Sequence, residues 1–105
     1  MERYAWKGKL KEGMLAVYIE RHNQIWPELT ALLDEAGIHN YTVWNAKEDL
    51  FGYYECDYGV EHAQRVQAES EIVAKWNEYM KDIIVLEMDP ITGAQPLMQQ
   101  VFLHK

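Results

Sequence analysis

Two consecutive segments decide how this chain folds: Ile38-His39-Asn40-Tyr41-Thr42-Val43-Trp44-Asn45-Ala46 and, after the turn residues Lys47-Glu48-Asp49, Leu50-Phe51-Gly52-Tyr53-Tyr54-Glu55-Cys56-Asp57. Both are rich in Tyr, Trp, Thr and Val, side chains that suit a pleated, half-buried surface. A short polar connection joins them, so the pair predicts a β-hairpin. On the N-terminal side the period changes. Met14, Val17, Tyr18, Arg21, His22 and Ile25 fall at helical spacing from Gly13 onward. Pro27 cannot continue a helix without losing a hydrogen bond, which predicts a break over Gln24 to Trp26 and a second helical piece opened by Pro27. Leu29, Leu32, Leu33 and Ala36 form that piece's apolar face, and Gly37 ends it. Before these helices, Arg3 to Lys9 alternates aromatic or small residues with cations and reads as a first strand, closed by Lys11-Glu12-Gly13. After the hairpin, Gly59 to Ser70 is polar but helix-compatible. A stronger helix follows, with Ile72, Trp76, Tyr79, Met80 and Ile83 on one stripe. Asp89 to Pro96 reads as a loop and Leu97 to His104 as a last short strand.

The order is β-α-β-β-α-β, which predicts an α+β domain of the ferredoxin-like, split βαβ arrangement spanning residues 1–105. Its helices cover one face of an antiparallel sheet. The other face, expected to display Tyr41 or Trp44, needs a cover of its own. A second copy of the chain, packed sheet to sheet as a dimeric α/β barrel, is the economical one. The alternative is that the open face is itself a wet ligand groove.

Composition narrows the function. Of 105 residues, 49% are hydrophobic and 26% charged, which excludes a disordered chain. Ten Lys and Arg against 17 Asp and Glu give a net charge of -7. That balance excludes the clustered cations of a nucleic-acid binder and attraction to an anionic membrane. The single Cys56 excludes an internal disulfide and a thiolate zinc cage, and reads as a small strand residue. The first 11 residues carry five charges and no apolar run, so no signal peptide is expected, and cytoplasm is the expected location. Four Trp and seven Tyr are many for so short a chain, and suit a pocket that stacks on a ligand while bonding its polar edge.

The chemistry points to Tyr18 and His22. Four residues apart, they share a helix face one turn from each other, and imidazole exchanges protons near neutral pH. From spacing alone His22 reads equally as a histidine satisfied by a backbone or carboxylate partner, and Tyr18 as core. Trp26 reads as packing, Arg21 as a surface ion-pair partner of Glu20 or Glu28. Alternation puts His39 on the strand face of Tyr41, and Glu55 is the one carboxylate placed to orient a base, or else a rim charge. His62 and His104 read as solvated. No spacing resembles a zinc motif or phosphate loop.

Arg21-His22-Asn23 with Ile25-Trp26-Pro27-Glu28-Leu29 resembles the L-rhamnose mutarotase family. Gly37-Ile38-His39-Asn40-Tyr41, Trp76, Tyr79-Met80 and Val101-Phe102 add to the resemblance, in order along nearly the whole chain. It implies a dimeric ferredoxin-like fold and cofactor-free interconversion of the α and β anomers of L-rhamnose, a monosaccharide. It also implies that His22 is the general acid and that Tyr18 and Tyr41 bind sugar. In the family two adjacent tryptophans line the pocket. The first matches Trp76, but the second position is Asn77, which replaces a stacking surface by an amide and bears on which sugar is preferred. Two other readings remain: a different enzyme on the same dimeric barrel, such as a cofactor-free monooxygenase or haem-degrading protein, and a non-catalytic sugar-binding domain.

Overall fold

The structure, a computed structural model, describes residues 1–85 and 98–105. Strand β1 runs Glu2–Leu10. Helices α1 (Leu15–Asn23) and α2 (Pro27–Glu35) follow, then strands β2 (Ile38–Ala46) and β3 (Asp49–Cys56). Helices α3 (Val60–Ala68) and α4 (Glu71–Met80) lead to a two-residue strand, β4 (Ile84–Val85). The sheet is antiparallel with order β2-β3-β1-β4, the ferredoxin-like arrangement.

The local chemistry of each boundary is visible. Pro27 sits in the first turn of α2, where its missing N–H costs nothing. Gly37 follows α2 at φ +75°, in the left-handed region, with the Tyr58 ring against it. Ser70 caps α4, its hydroxyl accepting the Val73 N–H at 3.3 Å.

Even-numbered residues of β1 and β3 share one sheet face. Tyr4 stands opposite Tyr54, Trp6 opposite Gly52 and Gly8 opposite Leu50. Leu50, Gly52, Tyr54 and Cys56 are buried on it, so it is the helix-covered face. Gly52 has a steric reason to be glycine. A Cβ there would lie 2.0 Å from Cε2 and 2.2 Å from Nε1 of Trp6, whose indole lies flat across β3. Two buried clusters form the core. One holds Leu10, Tyr18, Leu29, Leu50, Trp76, Met80 and Ile83; the other holds Ala36, Ile38, Tyr54, Cys56 and Ala63. Trp6 packs against both.

Two expectations are corrected. The fourth strand is Ile84–Val85, beside Lys9 and Leu10 of β1, not Leu97 to His104. The aliphatic pair leaves α4 directly onto the sheet edge. Residues 98–104 form no strand; the Met98 N–H donates to the Ala5 carbonyl at 3.0 Å, while Val101 and Phe102 are 89% and 79% exposed. The expected loop over Asp89 to Pro96, and Leu97, lie outside the described residues. The second correction concerns β2. His39 pairs with Glu55 but Thr42 pairs with Tyr53, so one extra residue is inserted between them. Asn40 makes the bulge by taking φ 51°, a left-handed conformation that Asn tolerates better than most residues. Alternation therefore changes phase at Asn40. Tyr41 turns toward the helices, where its ring lies 4.9 Å from that of Tyr54. His39 is left on the opposite face with Glu55, and the open face displays Trp44, 68% exposed, without Tyr41.

Candidate active site

A hollow of about 1160 Å³ opens between the helices and the covered sheet face. All five residues singled out in the sequence line it: Tyr18 and His22 from α1, Tyr41 from β2, and Trp76 and Asn77 from α4. The hollow lies on the helix face of the sheet, not on the open face where the alternative reading put a ligand groove. A volume of this size amply holds a small molecule.

His22 is half-buried near the C-terminal end of α1. Its Nδ1 lies 2.9 Å from the Tyr18 carbonyl oxygen. A carbonyl only accepts, so Nδ1 carries the hydrogen and donates it. This fixes the neutral tautomer and leaves Nε2 bare. The ring stacks on Tyr18, centroids 4.1 Å apart, and meets the edge of Trp76 at 5.4 Å. Burial pulls the His22 pKa below its ordinary 6.5, while the bond to the Tyr18 carbonyl pulls weakly the other way. Neutral imidazole is therefore its resting form at neutral pH.

The phenols around it behave in the opposite sense. Burial pushes Tyr18 up to about 12. Tyr41 is 39% exposed as a residue, but its hydroxyl is the covered end. That hydroxyl accepts the Trp6 Nε1–H at 3.1 Å, and desolvation raises its pKa well above the ordinary value. Tyr4 and Tyr54, also lining the hollow, are raised for the same reason. All four stay protonated, so each keeps an O–H hydrogen to offer. His22 is the lining group that changes charge near neutrality.

The wall carrying Trp76 is tied to the helix carrying His22. Arg21 donates from Nη1 to the Tyr79 carbonyl and to Asp82, each at 2.8 Å, and from Nη2 to the second Asp82 oxygen at 3.2 Å. Its guanidinium also lies 4.4 Å from the Tyr79 ring centroid. The expected partners Glu20 and Glu28 are not used in this clamp. Trp26 packs edge-on to Trp76 at 5.1 Å and stacks on Tyr79 at 5.5 Å, a packing role as expected.

Other expectations fall outside the hollow. Glu55 accepts from Asn40 Nδ2 and the Tyr53 hydroxyl, each at 2.8 Å, and these bonds hold its carboxyl below the ordinary range. It faces away from His22 and orients no base. His39 pairs with Asp57 at 2.8 Å. His62 is partly buried, edge-on to Tyr58 at 5.6 Å. Cys56 is a buried strand residue whose thiol burial makes harder to ionise. Sequence reasoning missed Tyr4, Trp6, Tyr54, Gln64 and Gln67 as lining residues. The alternation of Tyr4 and Trp6 was the available signal, since it places both on the face of Tyr54.

The family model described as L-rhamnose mutarotase matches residues 3–104. The chain belongs to the L-rhamnose mutarotase family. An L-rhamnose mutarotase of Formosa agariphila is 38% identical over 104 residues, covering 97% of each chain. One from Bacteroides thetaiotaomicron is 38% identical over 99 residues, 92% of this chain and 93% of its own. The crystal structure of a Formosa agariphila L-rhamnose mutarotase superposes with a TM-score of 0.81 at 32% identity, covering both chains completely. As a member of the L-rhamnose mutarotase family the chain is an isomerase. Among the described residues, no helix is long and apolar enough to cross a membrane.

Proposed function

We propose that the protein interconverts the α and β anomers of L-rhamnose or a closely related deoxyhexose, with His22 as its proton-transfer group. The observation supporting this most directly is the His22 tautomer: Nδ1–H is committed to the Tyr18 carbonyl, which leaves Nε2 as the nitrogen a sugar in the hollow can meet. Mutarotation opens a hemiacetal. Nε2 takes the anomeric hydroxyl proton, the freed O1 electron pair forms the aldehyde C=O, and the C1–O5 bond pair passes to the ring oxygen. That oxygen takes a proton back from the imidazolium. One nitrogen can serve both oxygens, because both are bonded to C1. Rotation about C1–C2 and the same steps reversed close the ring on the other face.

The remaining residues bind and orient. Tyr18 and Tyr41, held protonated, donate to sugar oxygens. Trp76 offers an apolar face to the sugar's C–H side, and Asn77 an amide at the rim. Because burial lowers its basicity, the imidazolium of His22 is a stronger acid than a free imidazolium, which suits delivery to a weakly basic ring oxygen. The working form is a homodimer joined through the open sheet face, where Trp44 is exposed beside Phe51 of β3, and the setting is the cytoplasm.

Saturation-transfer NMR on L-rhamnose tests the reading. Wild type accelerates α to β exchange, and His22→Gln drops the acceleration by about 10²–10⁴-fold, the usual contribution of one acid-base group. Equal acceleration by wild type and His22→Gln overturns it.

A further inference from the structure

Away from His22, the hollow has a second polar wall. Tyr4, Tyr41 and Tyr54 all line it, with rings 4.8 Å apart between Tyr4 and Tyr54 and 4.9 Å between Tyr41 and Tyr54. Two of the hydroxyl oxygens are used in the same way. Tyr41 accepts from Trp6 Nε1 at 3.1 Å and Tyr54 from Gln67 Nε2 at 3.5 Å. Gln64 lines the hollow as well. The Gln67 amide is itself anchored, donating to the Ala63 carbonyl of its own helix at 3.1 Å.

A phenol has one O–H donor and accepts on its oxygen. Here Tyr41 and Tyr54 each accept from an N–H group. Among the described residues none of the three O–H hydrogens has an acceptor, so three donors remain for something that enters the hollow. The three phenols lie close enough to influence one another's ionisation, and Tyr41 also senses Tyr18. The row of hydroxyls thus continues from the Tyr18–His22 pair toward α3. A sugar with its anomeric carbon at His22 has its other hydroxyls along this row.

We propose that Tyr4 and Tyr54, the latter oriented by Gln67, form a hydroxyl-reading subsite that sets which sugars are accepted, through the oxygens remote from the anomeric carbon. This rests on the mutarotase reading above. Gln67 is a positioning residue. It holds the Tyr54 hydroxyl hydrogen toward the ligand, and removing it frees that hydroxyl to turn away. The subsite is a wall of donors, so it selects for acceptor oxygens and against sugars deoxygenated there.

The test measures KM and kcat for exchange, and Kd by calorimetry, on L-rhamnose and its 2-, 3- and 4-deoxy analogues. The proteins are wild type, Tyr4→Phe, Tyr54→Phe and Gln67→Leu. In wild type at least one deoxy analogue binds about tenfold more weakly than L-rhamnose, the scale of one lost hydrogen bond in a partly wet site. Tyr54→Phe or Tyr4→Phe raises KM for L-rhamnose by about the same factor with kcat within about twofold, and abolishes the penalty for that analogue. Gln67→Leu gives a smaller rise of the same kind. Unchanged KM and unchanged sugar discrimination in both phenylalanine variants overturn the subsite while leaving the mutarotase reading intact. Sugar binding without exchange in wild type overturns the mutarotase reading, and the subsite is then judged on the Kd values alone. Wild type that neither binds nor turns over any of these sugars overturns both.

Discussion

Gly52→Ala is the substitution whose cost can be worked most directly from the structure. The added Cβ would meet Trp6 Cε2 at 2.0 Å, Nε1 at 2.2 Å and Cζ2 at 2.4 Å. Carbon atoms rest about 3.5–4.0 Å apart at best, so the indole has to retreat by about 1.5 Å. Trp6 packs against both buried clusters, which leaves it little room. Overpacking of this kind costs about 1–3 kcal/mol. At about 4–8 °C per kcal/mol for a domain near this size, a 2 kcal/mol loss lowers Tm by roughly 8–16 °C. The displaced atom is also the donor that holds the Tyr41 hydroxyl, and losing a hydrogen bond worth about 1 kcal/mol raises KM by about fivefold. Thermal unfolding followed by circular dichroism and NMR exchange kinetics read the two effects. A double-mutant cycle with Trp6→Leu isolates the cause, because the smaller side chain removes the clash. Gly52→Ala is expected to cost much less in the Trp6→Leu background. An equal cost in both backgrounds refutes the steric argument, and an unchanged KM in the stable fraction refutes the link from Trp6 to Tyr41.

Three further outcomes are expected. The acid limb of kcat/KM should fall below pH 6.5, since burial lowers the His22 pKa. By the same shift the unfolded chain binds a proton first, so stability falls as pH drops from about 6.5 through the folded-state pKa, and His22→Gln should flatten Tm against pH in that window. Arg21→Met should lower Tm and raise KM by releasing α1 from Tyr79 and Asp82. Arg21→Lys should restore only part of the loss, because an ammonium cannot make the two-pronged contact with Asp82; full restoration would refute the clamp. Trp44→Glu should shift the sedimentation coefficient to that of a monomer, and an unchanged dimer would move the interface away from the open sheet face.

Most of the architecture was readable in the sequence because its signals are local. Pro27 and Gly37 bracket α2 by backbone chemistry alone, and β2 runs over Ile38–Ala46 as its composition suggests. The Tyr18–His22 pairing follows from the helical repeat and is found in the hollow. What failed was non-local. Ile84–Val85 is a strand only because β1 offers an edge beside it, and nothing in those two residues announces it. The face of Tyr41 was misjudged because strict alternation has no way to register an inserted residue. Arg21 was assigned to its sequence neighbours Glu20 and Glu28, whereas its partner Asp82 lies 61 positions along the chain. Tyr54, Gln64 and Gln67 became site residues only when β3 and α3 enclosed the same space.

The irregularity at Asn40 makes residue count between His39 and Thr42 as consequential as residue identity. Deleting Asn40 would restore a regular ladder with Tyr41 set opposite Tyr54 on the helix face, whereas deleting Tyr41 would leave Asn40 in that place and strip the Trp6 Nε1–H of its acceptor. Two deletions of equal length, one position apart, would thus spare or empty the same corner of the binding chamber.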